Sequence, residues 1–292
     1  NNDVVSKLFP GYKNSLGFEY SAPYRFDRIN EVLRADKKFS IADFQQLQGD
    51  VVSLPARQLV PLFKAIKSEA PGVKEALDQL LQWDFVVSRD SVAATIYEYW
   101  LLKLTPLVYA AHLPPEMRGK FSQSDVRRVI AWMTAPDAAF GADPIAARDQ
   151  MALTALQAAL ADLQKMLGDD RAKWRWGGVH RATFDHPLLA ASTAAVAKVT
   201  PVERGGDAFT VQATSNPTEK NANEEHGASA MLVLDVQDWD RSVALNAPGN
   251  ESQLGSAHYA DLAPLWGEGR HFPLAFSKAK VTEVADEKLT LY

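Results

Sequence analysis

Apolar positions recur at helical spacing through the first part of the chain, and short runs of strand type replace them later. Between Tyr24 and Leu33, Phe26, Ile29 and Leu33 fall at helical intervals with Arg25 and Arg28 beside them. A second helix is predicted from Ser40 to Gln48, opened by Ser40 and Asp43 in a variant of the capping box. Leu59, Leu62, Phe63 and Ile66 make the apolar stripe of a third, Leu54 to Lys67. Pro71 suits the first turn of a fourth, which carries Val73, Leu77, Leu80 and Leu81. Ser91 to Ala111 is the longest apolar helix, and its aromatics Tyr97, Tyr99 and Trp100 spread over more than one face, which predicts burial. After the break at Pro114-Pro115, helices are predicted at Ser124 to Met133 and Ala146 to Leu167, around a loop from Pro136 to Pro144. Beyond Gly168, β-branched and aromatic runs predict strands at Phe209–Ala213, Ala230–Val236, Lys280–Val284 and Lys288–Tyr292. A helical block followed by a strand block is an α+β order with an antiparallel sheet. The expected division is a helical lobe over 26–167, then a crossover with core strands over 168–292.

The crossover, Trp174 to Val211, has neither period. It holds Trp174, Trp176, Gly177-Gly178, His180 and His186, and ends in Gly205-Gly206 and the predicted strand that starts at Phe209. Such a segment reads as a tryptophan-anchored loop packed on a core edge, and loops on rigid scaffolds are also where sites are built.

Composition narrows the function. The 292 residues are 47% apolar, enough for a sizeable core, and the net charge of −5 comes from intermingled acids and bases. Without a basic stripe, no nucleic-acid partner is expected, and without a long apolar run no membrane span is expected. Cysteine is absent, which removes disulfides and thiol chemistry. No phosphate-binding glycine loop, dinucleotide fingerprint, His-Glu-x-x-His or Gly-x-Ser-x-Gly occurs. His180 and His186 lack a carboxylate-rich partner cluster, so no metal site is assigned to them. His258 and Asp261 are spaced either as an orienting pair or as a tie between a loop and a helix start. The chain opens on Asn1-Asn2-Asp3 without methionine or signal peptide, and is expected to be a processed chain or a fragment.

Motifs in order decide more than any single spacing. Trp176-Gly177-Gly178-Val179-His180, then His186-Pro187-Leu188, then Gly205-Gly206-Asp207-Ala208-Phe209-Thr210-Val211 resemble the penicillin acylase family of N-terminal-nucleophile hydrolases. Gly227-Ala228-Ser229, Asp235, Pro248-Gly249, Gly255-Ser256, and His258-Tyr259 with Asp261 and Trp266 follow in the family's order. Upstream, Leu81, Trp83-Asp84 and Ser91 to Ala94 also fit, so the resemblance covers nearly the whole chain. Two departures concern the substrate side. Ala230 and Met231 stand where an arginine is common, and Asn250-Glu251-Ser252 where Gly and Gln with Ser are usual.

The resemblance implies a piece of the four-layer αββα fold, with residues 1–292 as the C-terminal portion of a catalytic chain. It implies an amidohydrolase acting on N-acylated small molecules such as β-lactam antibiotics or acyl-homoserine lactones. The nucleophile would be an N-terminal serine, freed by autoproteolytic processing and absent from this sequence. Asn1, in the Asn1-Asn2 pair, would donate to the oxyanion, and Arg28 would hold that region in place. The chemistry suits the assignment: a neutral amide N–H aimed at a developing oxyanion is worth about 3–4 kcal/mol. The expected partners are the N-acyl substrate, the α chain and the N-terminal part of the same precursor. The expected location is periplasmic or secreted. No cofactor is required, and a structural calcium is compatible with the intact enzyme. The alternative is a binding or scaffold protein that keeps the fold without the nucleophile.

Overall fold

The computed structural model describes residues 21–118, 120, 125–184, 198–218, 222, 223 and 226–291. Asn1, Asn2 and the His186-Pro187-Leu188 motif lie outside the described residues.

Helix starts follow local capping chemistry. α1 (Tyr24–Leu33) leads to α2 (Ile41–Gln48), whose N-cap Ser40 and third residue Asp43 close the expected capping box. Ser53 caps α3 (Leu54–Leu59), and Ser91 caps α5 (Val92–His112). Pro71 begins α4 (Pro71–Gln82). Asp125 and Asp143 cap α6 (Val126–Thr134) and α7 (Pro144–Leu167). The predicted helix over Leu54 to Lys67 changes at Val60 into a 3₁₀ segment, Val60–Ala65. Pro61 has no N–H for the α-helical ladder, which accounts for the change.

α5 is the axis of the helical core. Its residues Ala93 to Leu101 are buried on every face, and its packing against α7 is the largest helix–helix contact. Trp100 donates to the Ala152 carbonyl of α7 at 3.0 Å and stacks at a tilt on Phe63, 4.7 Å away. The same apolar cluster reaches Trp174 and Trp176. A second, smaller cluster holds Ala182, Leu245, Ala247 and Trp266.

The strand region departs most from expectation. β1 (Arg181–Ala182) pairs antiparallel with β2 (Val202–Glu203). β3 (Ala230–Val233), β4 (Val243–Asn246) and β5 (Phe272–Pro273) form an antiparallel sheet in that order, with Ala230 opposite Asn246 and Val243 opposite Pro273. β3 ends before Val236 because Asp235 accepts the N–H groups of Gln237 and Asp238 and turns the chain. β4 was not predicted.

Phe209–Ala213 is not a strand. Asp207 accepts the N–H groups of Phe209 at 2.6 Å and Thr210 at 2.8 Å, and the Thr210 hydroxyl bonds within the same turn. Side-chain acceptors there take the donors that a ladder would need. Lys280–Val284 belongs to a helix, α10 (Lys278–Val284), despite its β-branched residues. Ser277 caps it, and Asp240 accepts the N–H groups of Phe276 and Ser277. Residues 288–291 pair with no strand. No helix among the described residues is long and apolar enough to cross a membrane.

Candidate functional site

The crossover turns out to be a junction. Trp176 starts a single helical turn, α8 (Trp176–Val179), and is fully buried. Its indole N–H donates to the Gly206 carbonyl at 3.0 Å, and its ring stacks on His180 at 4.5 Å. His180 is buried too. Its Nδ1 lies 2.6 Å from the Ala222 carbonyl and its Nε2 lies 3.1 Å from the Thr214 hydroxyl. A carbonyl only accepts, so Nδ1 carries the proton and Nε2 accepts from Thr214. Burial lowers the His180 pKa to about 4 and keeps the ring neutral. Both nitrogens are committed, so His180 ties three segments together and is neither base nor metal ligand. Gly177 permits the junction: a Cβ there would stand 2.9 Å from the Arg89 Cβ and 3.0 Å from the Glu203 Cβ.

Trp266 of α9 (Ala263–Gly267) makes a second junction. Its indole donates to the Ala228 carbonyl at 2.9 Å, its ring lies 3.6 Å beneath the Arg204 guanidinium, and its carbonyl accepts from Arg204 at 2.6 Å. Phe184 meets the same ring edge-on. The Gly-Ala-Ser segment, the residue before Gly205 and the late tryptophan are therefore one packed unit.

Between these junctions and α1 lies a cavity of about 330 Å³, lined in part by Arg25, Gln48, Gln212, Thr214, His226 and Met231. Gln48 is held by the Leu232 carbonyl at 2.9 Å and by His271 at 3.0 Å. Met231, one of the two residues at the expected arginine position, is on the wall. Arg25 also faces this space and forms no ion pair with any described residue.

Arg28, the expected site arginine, lies one turn further along α1. Its guanidinium grips Asp50 through Nε at 3.1 Å and Nη2 at 2.7 Å, while Nη1 meets Glu31 at 3.0 Å. The Asp50 hydrogen bonds raise its pKa further. Asp50 in turn accepts the Val52 N–H at 3.0 Å, so Arg28 locks α1 onto the segment that precedes α3. The two arginines stand three positions apart on one helix, and sequence periodicity alone does not say which guanidinium finds an acid.

His258 does pair with Asp261, at 2.8 Å, and that hydrogen bond raises its pKa. The ring stands in solvent with 74% of its side chain exposed, so the pair ties a turn rather than furnishing a cavity. A second, more open cleft of about 530 Å³ borders the crossover, where Arg175 bridges Asp90 and Glu203. No group of three or more His, Cys, Asp or Glu suited to a metal occurs among the described residues.

With this geometry established, comparison with known proteins gives a consistent answer. The chain is 30% identical to a penicillin acylase 2 proenzyme of Pseudomonas sp. (strain SE83), over 98% of its own length and 37% of that protein's. It is 23% identical to an acyl-homoserine lactone acylase QuiP of Pseudomonas aeruginosa, over 97% of the chain and 38% of the relative. The chain thus spans just over a third of these relatives. Among solved structures, a thermostable penicillin G acylase from Alcaligenes faecalis matches with a TM-score of 0.51 and 17% identity, covering 91% of this chain and 52% of that one. That likeness carries the fold: the α+β class, within the N-terminal-nucleophile hydrolase architecture. The penicillin amidase family profile matches residues 1–283, and the chain belongs to that family.

Proposed function

We propose that this chain is part of an acylase that hydrolyses the amide bond of N-acylated small molecules by way of an acyl-enzyme. The observation that carries the reading is the cavity between α1 and the two motif-built junctions, with Arg25 on its wall and in no ion pair with a described residue. The relatives, a penicillin acylase and an acyl-homoserine lactone acylase, supply the substrate class. The nucleophile in this reading is an N-terminal serine outside these 292 residues, and Asn1 donates to the oxyanion of the tetrahedral intermediate. Arg28 acts as a positioning residue, fixing α1 through Asp50, while Arg25 is the cation turned towards substrate.

The remainder of the precursor is the proposed partner. Leu232 and Leu234, on and just after β3, are 55% and 49% exposed, with Val236 and Phe276 nearby in the fold's strand region at 79% and 68%. An apolar surface of this kind suits burial by further chain of the same protein, in keeping with the one-third coverage of the relatives. A periplasmic or secreted location belongs to the same proposal.

The test is steady-state kinetics of the full-length enzyme on chromogenic phenylacetyl and fatty-acyl amides. Asn1→Ala is expected to lower kcat by about 10²–10³-fold with KM little changed, since the donor acts on charge that develops in the transition state. Asn2→Ala is the control for register. Arg28→Lys is expected to be damaging because lysine keeps the charge and loses the two-pronged grip on Asp50. A folded, processed Asn1→Ala enzyme at the wild-type rate would refute the oxyanion assignment.

A further inference from the structure

Behind the cavity wall lies a carboxyl pair that the proposed reaction does not use. Glu98, on α5, is 2% exposed, and Asp207, at the turn after β2, is 1% exposed. The two carboxyl groups are close enough that each acts on the other's charge. Asp207 Oδ1 is occupied by the Phe209 and Thr210 N–H groups. Asp207 Oδ2 and Glu98 Oε1, both buried, meet no hydrogen-bond donor. Two orphaned carboxylate oxygens side by side in a dry interior carry a desolvation cost and a repulsion, and both vanish if one proton lies between them.

We propose that Glu98 and Asp207 share one proton, Glu98 donating to Asp207, and that this acid–carboxylate bond clasps the 207–214 turn onto α5. The ionisable groups facing the pair agree. Tyr97, beside Glu98 on α5, is fully buried with its hydroxyl held neutral, first by burial and then by the two acids. Tyr24 of α1 lies beyond it, its pKa pushed up to about 12, mainly by burial. Ser53, which caps α3, lies beside Tyr97 and Asp207. Among the described residues, no arginine or lysine forms an ion pair with either acid. Burial, followed by the charge and hydrogen bond of Asp207, holds Glu98 well above the usual carboxylate range. Burial raises Asp207 too, against the pull of its amide donors.

The clasp matters because of what the turn carries. Gly206 presents the carbonyl that receives Trp176, and Thr214 bonds His180. Gln212 and Thr214 lie on the cavity wall. Glu98 is thus a positioning residue that acts through Asp207. The inference concerns this chain's own protonation and does not depend on the acylase reading.

Infrared difference spectroscopy on the full-length protein at neutral pH tests it directly. The wild type is expected to show the carbonyl stretch of a protonated buried carboxylic acid, and Glu98→Gln is expected to lack it. Glutamine keeps a neutral donor towards Asp207, so its melting midpoint should stay near the wild type. Glu98→Ala, which strands Asp207, should fall by about 5 °C or more. Absence of the protonated-acid band overturns the proposal, as does a Glu98→Gln variant no more stable than Glu98→Ala. A stoichiometric metal ion found by elemental analysis, with stability lost on chelation, also overturns it, because a cation would then hold the two oxygens together. If Glu98→Ala does not fold, the wild-type and Glu98→Gln spectra still decide.

Discussion

Removing the Trp176 indole should be among the most costly single changes in this chain, and two variants separate its contributions. The side chain is fully buried, stacked on His180 and bonded to the Gly206 carbonyl. Burying an aromatic of this size removes about 200 Å² from water, which at roughly 25 cal/mol per Å² sets an upper bound near 5 kcal/mol. The cavity left by Trp176→Ala and the orphaned carbonyl act in the same direction, so a loss of about 3–5 kcal/mol is expected. Trp176→Phe keeps most of the apolar body and loses only the indole N–H and some volume. It leaves the Gly206 carbonyl buried without its donor, for an expected loss of about 1–3 kcal/mol. Urea denaturation of both variants against wild type, with slopes checked for constancy, gives the two numbers. A loss below about 1 kcal/mol for Trp176→Ala would refute the junction. Wild-type stability in Trp176→Phe would show that Gly206 does not depend on the indole.

Two further outcomes follow from the same junction. Gly206 has φ +88°, and a Cβ there would stand 2.6 Å from the Gln212 carbonyl oxygen, so Gly206→Ala should cost at least about 1–2 kcal/mol; an unchanged denaturation midpoint would count against the turn as described. His180, with a folded pKa of about 4 against an ordinary value of 6.5, stabilises the fold fully above that ordinary value. This contribution, up to about 3 kcal/mol, is lost as pH falls from 6.5 towards 4, and a stability profile that stays flat through this window would contradict a buried neutral ring.

How much was legible in the sequence varies by element, and for physical reasons. Helices came through well because each start carries its own local signal: Ser40 with Asp43, Pro71, Ser91 and the apolar periodicity after them are read within one or two turns. Phe209–Ala213 and Lys280–Val284 were misread because their β-branched composition is real but weaker than neighbouring side chains that capture the backbone donors. β4 was missed because its four residues become a strand only by pairing with β3 on one side and β5 on the other.

The motifs announced the family without saying what they do. Trp176, His180, Gly205-Gly206 and Trp266 stand out in the sequence, yet their work is to bond one another across the fold. Arg25 and Arg28 are near-equivalent on a helical wheel, and only Asp50, brought in from 22 residues away, draws one of them off the cavity. Glu98 and Asp207 are 109 positions apart in numbering, and no periodicity could join them. By itself, then, the sequence determined the helices, the family and the buried character of α5, since those depend on local chemistry and on ordered motifs. Tertiary structure decided which polar groups meet in a dry interior, because a hydrogen bond or shared proton between distant segments exists only once packing has excluded water from both.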